Sequence, residues 1–400
     1  MKEGFNLDIV YKYLLFSLAF LAPLTVFGAN LIIVIIVLLW LFSGNYSFKY
    51  KQIIGSKFLI ASIVFFAIHV LGLIWTHDMT WGLHIVHKMW YFLLLLPVLH
   101  SIVKKDEIRK YIAFFLLAIT VTEVISYLIW FEVIKPFKFA TVLNPTPFMS
   151  HVSYNPILAF SIYIVYHEIF LNKKLDRVKF FIYSFFAITM TINMFITGGR
   201  AGQVMYFAML VILIFQFFNS DKIKSLLAIM ILIPGIFFAA YNSSDLFQTR
   251  VDSAIESIKD YELNKNSSVG KRISYAKNSW DIILKNPLIG VGTGDFPIEF
   301  QKAAILNDNY YGSITSNPHN MYNLILVQLG LLGFISFLSI FYYQIKQSFL
   351  SPSRFMRDFG ITLPLLFLVI MFAESYLLGH YTSLLYVFFS SFTYNYFKEY

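Results

Sequence analysis

The sequence contains no cysteine. That excludes disulfides, thiolate nucleophiles and cysteine-ligated metal centres. Charge is also scarce: 13% of the 400 residues are Asp, Glu, Lys or Arg, about half of the usual roughly 25%. Acidic residues are fewer than basic ones, 22 against 31, which leaves a net charge of +9. There is no phosphate-binding loop of the GxxxxGK type, and no Asp-x-Asp motif in the one long polar segment. Nucleotide-driven transport and metal-assisted transfer from nucleotide sugars therefore lose support.

Apolar residues make up the balance. They account for 58% of the chain, with 44 Phe, 26 Tyr and 6 Trp. A soluble fold of this length cannot hide so much apolar surface behind a charged exterior, and a disordered chain would be far more polar. A membrane barrel would show alternation over about ten residues. Unbroken runs such as Ala29–Phe42 point to helices instead.

The predicted fold is all-α: a polytopic membrane protein of about 12 transmembrane helices with one large helical loop, on the outer side, between spans 9 and 10. The candidate spans lie near 10–27, 28–43, 58–75, 84–103, 110–131, 152–171, 179–197, 200–218, 224–241, 319–345, 359–378 and 380–396. This divides the chain into 1–241, with nine spans, a loop at 242–318, and 319–400, with three spans. No basic, short-core, small-residue cleavage pattern opens the chain, so no cleaved signal peptide is expected.

The charges set the orientation. One set of short loops carries Lys49, Lys51 and Lys57; Lys104, Lys105, Arg109 and Lys110; Lys173, Lys174, Arg177 and Lys179; Lys222 and Lys224; Lys346, Arg354 and Arg357. The opposite short loops carry only Lys135 and Lys138. By the positive-inside rule both termini are expected in the cytoplasm. Most of the +9 is thus a sorting signal, and nucleic acid is not an expected partner. The segment Tyr241–Pro318 is mostly polar but patterned. Leu246, Phe247, Val251, Ile255 and Ile258 recur at helical spacing, as do Ile273, Ala276, Trp280 and Ile283. Two or three amphipathic helices lying on or just above the bilayer are expected there.

Three features bear on chemistry. Arg200 sits in Thr197-Gly198-Gly199-Arg200-Ala201-Gly202 between spans seven and eight. An ionisable residue at a membrane edge either faces a cavity or partner or snorkels to the interface; the glycines allow a backbone or ligand to approach closely. Lys265, Lys271, Arg272, Lys277 and Lys285 crowd the outer segment. They suit either anionic head groups or a phosphate, for which arginine offers a bidentate fork. Asn317-Pro318-His319-Asn320-Met321-Tyr322 has the form of a helix start, with Asn317 as cap and Pro318 in the first position. His319 would then sit in the first turn, where the positive helix end keeps imidazole neutral and able to accept a proton. The bland alternative is an interfacial histidine bonded to a loop.

Weaker signals are His77, His84 and His87, which with Asp78 fall short of a converging metal site, and Gly290-Val291-Gly292-Thr293-Gly294, which follows no strand and is expected to be a turn. Glu374 lies near the outer end of span eleven, within reach of the same outer cavity.

These pieces together resemble the O-antigen ligase family, membrane glycosyltransferases related to O-antigen polymerases. The likeness is carried by Thr197-Gly198-Gly199-Arg200-Ala201; by Arg272 with Trp280 and then Asn286-Pro287-Leu288-Ile289-Gly290-Val291-Gly292-Thr293-Gly294-Asp295-Phe296; and by His319-Asn320-Met321-Tyr322 running into Gln328-Leu329-Gly330-Leu331-Leu332-Gly333. Gly199 is a departure, since many relatives have Ser before the Arg.

The resemblance implies transfer of a glycan from undecaprenyl diphosphate to a sugar hydroxyl of lipid A–core. The reaction would run on the periplasmic face of the bacterial inner membrane, in lipopolysaccharide biosynthesis, and need neither metal nor cofactor. His319, as general base, would deprotonate the acceptor hydroxyl. Arg272 and Arg200 would stabilise the leaving diphosphate, and direct displacement would invert the anomeric centre. Lys271, Lys88, Asn320 and Tyr322 are candidate substrate contacts. The alternatives are an O-antigen polymerase using the same donor, a protein-glycosylating relative, and a transporter of lipid-linked substrates.

Overall fold

The computed structural model describes residues 6–219, 221–259, 265, 267–307 and 315–395. Residues 260–264, 266 and 308–314 of the predicted outer loop lie outside that description. The elements are helices: α1 (Leu7–Leu21), α2 (Val26–Phe42), α3 (Tyr46–Ile54), α4 (Lys57–Leu71), α5 (Met79–Trp90), α6 (Leu96–Ile102), α7 (Ile108–Trp130), α8 (His151–Leu171) and α9 (Arg177–Ile196). They continue with α10 (Arg200–Phe218), α11 (Lys222–Ser243), α12 (Asp245–Lys259), α13 (Ser268–Lys285), α14 (Phe296–Leu306), α15 (Met321–Phe349), α16 (Arg354–Ile370) and α17 (His380–Thr393). A single bridge, Thr141 to Asn144, is the one strand-like pairing among the described residues.

Seven helical stretches are long and apolar enough to cross a membrane, or eight if α2 and α3, bent by 114°, form one span. This falls short of the expected twelve. α1, α16 and α17 have 15, 17 and 14 residues, below the roughly 20 a crossing needs. α8 is long enough but carries His151, Asn155, Pro156, His167 and Glu168, and 14 of its 21 residues are buried in protein. Runs of apolar sequence here serve an interior as well as a lipid surface.

The chain forms two compact units: residues 15–30 with 109–255, and residues 1–14 with 31–108 and 256–400. In the first, α8 packs along α10 and α9. The closest approach is at Gly202, where a Cβ would lie 2.1 Å from Asn155 Cβ and 2.6 Å from its backbone carbon. Close approach to a helix backbone is therefore what this glycine provides. Gly202→Ala should push α10 off α8 and cost about 1–3 kcal/mol, read as a fall in the thermal midpoint of the purified protein.

In the second unit α15 packs against α4, α16 and α13. α15 is broken at Gly330, whose φ of +59° and ψ of −157° suit glycine alone. The break frees backbone groups that must be paired within protein if they lie at membrane depth. The segment after α13 pairs them: Val291 and Gly292 donate to the carbonyls of Val327 and Gln328 (2.9 and 3.0 Å). Leu331 and Leu332 donate in turn to Pro287 and Leu288 (2.9 and 3.1 Å). The Leu-Gly-Leu-Leu-Gly and Asn-Pro-Leu-Ile-Gly-Val-Gly motifs thus meet each other, and the glycine-rich run is the turn its sequence suggests.

Candidate active site

His319 lies one residue before the cap of α15, not inside its first turn. Asn320 caps the helix, its Oδ1 accepting from the Tyr322 and Asn323 amides (2.9 and 3.1 Å). The sequence reading placed the cap three residues too early. Asn317 instead forms a local turn, its Oδ1 accepting from the His319 amide at 2.9 Å, as Asn side chains do before helices. This turn holds His319 at φ +50°, uncommon for a non-glycine residue and costly unless the surroundings impose it.

The helix terminus therefore does not orient the imidazole. A carboxylate does. His319 Nδ1 lies 2.5 Å from Glu374 Oε2. The other oxygen, Oε1, accepts from the Asn317 amide at 2.5 Å and from the Ser375 backbone at 2.9 Å. The Ser375 hydroxyl closes the ring on Asn317 at 2.7 Å. Burial works to raise the Glu374 carboxyl, but the hydrogen bond and charge of His319, with the Ser375 and Asn317 bonds, outweigh it and hold the group below its ordinary value. An ionised carboxylate only accepts, so Nδ1 carries the proton and Nε2 is left as the basic nitrogen. The His319 side chain is 39% exposed and that of Glu374 17%, so the base is reachable while its partner is covered.

The frame around this pair is tied at several points. Met321 donates to the Met371 carbonyl (2.9 Å), the Asn320 amide reaches Phe372 O (3.4 Å) and the Tyr322 hydroxyl donates to Leu368 O. Asn320 and Tyr322, candidate substrate contacts on sequence grounds, make these bonds within the protein. Tyr275 of α13 stacks on His319 with ring centres 6.0 Å apart. Arg272, one turn earlier on α13, and Glu374 both act electrostatically on the Tyr376 hydroxyl. Arg272, His319 and Glu374 thus belong to one neighbourhood of this unit. Lys271 is half-buried beside Arg272 on α13, and Lys88 is half-buried on α5.

Arg200 opens α10 in the other unit. Gly199 occupies the cap position with no side-chain cap, so the first-turn amides keep their capacity for an anion. The preceding loop is fixed from below. The Gly198 amide donates to Asn144 Oδ1 (2.9 Å), the Thr197 hydroxyl to Asn155 Oδ1 (3.0 Å), and the Gln203 amide to the Thr197 carbonyl (3.1 Å). At Gly199 a Cβ would meet Asn155 Cγ at 2.6 Å.

Arg250 of α12, which sequence reasoning passed over, lies on the same loop. Its Nη2 is 3.4 Å from where a Gly198 Cβ would sit, and among the described residues it makes no ion pair. Burial first, and then the charges of Arg250 and Arg200, lower the His151 imidazole from its ordinary value. Two guanidiniums at a helix N-terminus make a place for an anion.

Asp295 was also unflagged. It is 1% exposed and pins the glycine-rich turn to Thr76, His77 and Asp78, the residues before α5. It accepts from the Thr76 hydroxyl (2.7 Å), the His77 amide (2.8 Å), the His77 ring (2.8 Å) and the Asp78 amide (2.9 Å). Burial raises its carboxyl, and these bonds together overcome that and hold it low. A depressed folded value means stabilisation that is present above the unfolded value of about 3.9 and lost as pH falls through the folded one. Asp295→Asn should cost about 1.5–3 kcal/mol at neutral pH. The variant should also lack part of the wild type's acid destabilisation below about pH 4, both read from thermal melts across pH. Of the other histidines, His84 stacks on Trp81 at 4.6 Å and His87 is exposed. Among the described residues no group of three His, Asp or Glu gathers as for a metal.

No curated protein matches the chain. Residues 185–338 match the family model for O-antigen ligase. That stretch contains Arg200, Arg250, Arg272, Asp295 and His319, but not Glu374. Over residues 185–338 the chain is therefore similar to the O-antigen ligase family.

Proposed function

We propose that the protein is an O-antigen ligase. It would transfer a glycan from undecaprenyl diphosphate to a sugar hydroxyl of lipid A–core on the periplasmic face of the inner membrane, with both termini in the cytoplasm. The observation that carries this reading is the His319–Glu374 pair, 2.5 Å apart, on the unit that also holds Arg272. Nε2 of His319 takes the proton of the acceptor hydroxyl, and the oxygen attacks the anomeric carbon. The bond to the diphosphate breaks with inversion. Glu374 fixes the tautomer and stabilises the imidazolium as it forms. Arg272 neutralises charge on the departing diphosphate. Arg200, Arg250 and the first turn of α10 supply a second anion-binding group, and Lys271 and Lys88 secondary phosphate contacts. The donor is already activated by its diphosphate, so the residues assigned here suffice without metal or nucleotide.

Purified protein should cap lipid A–core with lipid-linked glycan at an unchanged rate in EDTA. A deletion strain should accumulate lipid-linked polymer and make uncapped core. A strain that instead carries single-repeat caps identifies a polymerase and overturns the ligase assignment.

A further inference from the structure

Across α14 from His319 the same unit contains a cavity of about 520 Å³, a size typical of small-ligand sites. It is lined by Trp75, His77, Asn286, Leu288, Ile289 and Glu299, with the intervening turn. Its walls are built rather than accidental. The turn at 287–292 is bonded to the broken α15, and Asp295 holds His77 from behind. His77 is 77% exposed on its side chain and gives Nδ1 to Asp295, so its other nitrogen is free to accept from a ligand. The Asn286 amide is exposed and has no side-chain hydrogen bond among the described residues. Glu299 bonds Lys302 through Oε1 (2.6 Å) and keeps its second oxygen. Trp75, whose indole N–H is covered, contributes an aromatic side chain to the lining.

The chemistry of this lining is selective. No Lys or Arg lines it, and its carboxylate is already paired with Lys302, so it offers a phosphate no counter-charge. An indole beside an amide, an imidazole and a carboxylate matches a neutral sugar ring, which offers an apolar face and hydroxyls that both donate and accept. Leu288 and Ile289, 67% and 49% exposed, supply an apolar rim suited to a saccharide tethered to lipid. α14 connects the two places: Glu299 lines the cavity, while Phe300 beside it packs edge-on against Tyr275, which stacks on His319.

We propose that this cavity is a saccharide-binding subsite, taking a short neutral stretch of glycan away from the reacting atoms. The proposal rests on the transferase reading, since that reading supplies the two saccharides that reach this face. The test uses full-length protein in nanodiscs of phosphatidylethanolamine and phosphatidylglycerol, with two lipid-free probes, core oligosaccharide and O-antigen oligosaccharide. Saturation-transfer NMR should detect binding of one of them. A signal from core oligosaccharide assigns the cavity to the acceptor, and one from O-antigen oligosaccharide to the donor. The double substitution Asn286→Ala with Glu299→Gln should weaken that binding about tenfold, and His319→Ala should leave it intact. Absence of binding to either probe, or equal binding by the double variant, overturns the subsite. Loss of the transferase reading shows differently, as wild-type protein that binds saccharide but transfers none.

Discussion

His319→Ala is expected to lower kcat for glycan transfer by about 10²–10⁴-fold, with the thermal midpoint and donor KM nearly unchanged. The size follows from the role assigned. A general base acts only as the hydroxyl loses its proton, so its removal spares ground-state binding. Glu374→Gln separates this role from a structural one. Gln keeps the volume and can still accept from Asn317 and Ser375. Its amide can also donate to Nδ1, however, which moves the ring proton to Nε2 and blocks the base. The expected loss is about 10–10²-fold in kcat, with partial recovery in Glu374→Asp, which restores the carboxylate at a longer reach. A Glu374→Gln enzyme with normal kcat would remove the carboxylate from the mechanism. A rise in KM alone, or a fall in folded yield alone, would return His319 and Glu374 to a merely structural bond.

Membrane class and helical character were legible from the sequence because they rest on composition and on long apolar runs. The number of crossings was less so. α8 falls short of a span by its polar residues, His151, Asn155, His167 and Glu168, which a reading by apolar runs passes over, and such a reading merges short helices such as α16 and α17 with the turns beside them. His319 and Arg272 were found by residue type and motif. The cap of α15 was misplaced because Asn317, Pro318 and Asn320 each carry a start signal, and only the bonds to Tyr322 and Asn323 decide between them. Glu374 was noticed but given no role, since 55 residues separate it from its histidine. Arg250 stood as one more polar residue on an amphipathic face, and only the packing of α12 against Gly198 gives it meaning. Asp295 stood next to last in a motif whose glycines drew attention away from it. The missed residues share one property: their partners lie far away in the chain, where periodicity and spacing carry no information.

Arg272→Ala is expected to cost about 10²–10³-fold in kcat, the usual effect of removing one donor aimed at developing charge. Arg200→Ala should fall in the same range. Arg272→Lys tests what kind of contact is made. Lysine keeps the charge but loses the planar fork, so a bidentate diphosphate contact predicts only partial recovery, while a diffuse electrostatic role predicts nearly full recovery. Product inhibition gives an independent reading. Undecaprenyl diphosphate carries the charge that these arginines are assigned to hold, so its inhibition constant should rise about tenfold in each alanine variant, as for a lost charged hydrogen bond. Arg250→Ala should raise that constant too, with a smaller effect on kcat, because Arg250 adds charge to a helix terminus that already attracts anions. If kcat falls while the inhibition constant stays fixed, the arginines do not bind diphosphate, and their role lies in shaping α10 and α13. If the constant rises for Arg200 and Arg250 but not for Arg272, the diphosphate belongs to the α10 terminus, and Arg272 acts instead through Tyr376 and Glu374 on the base.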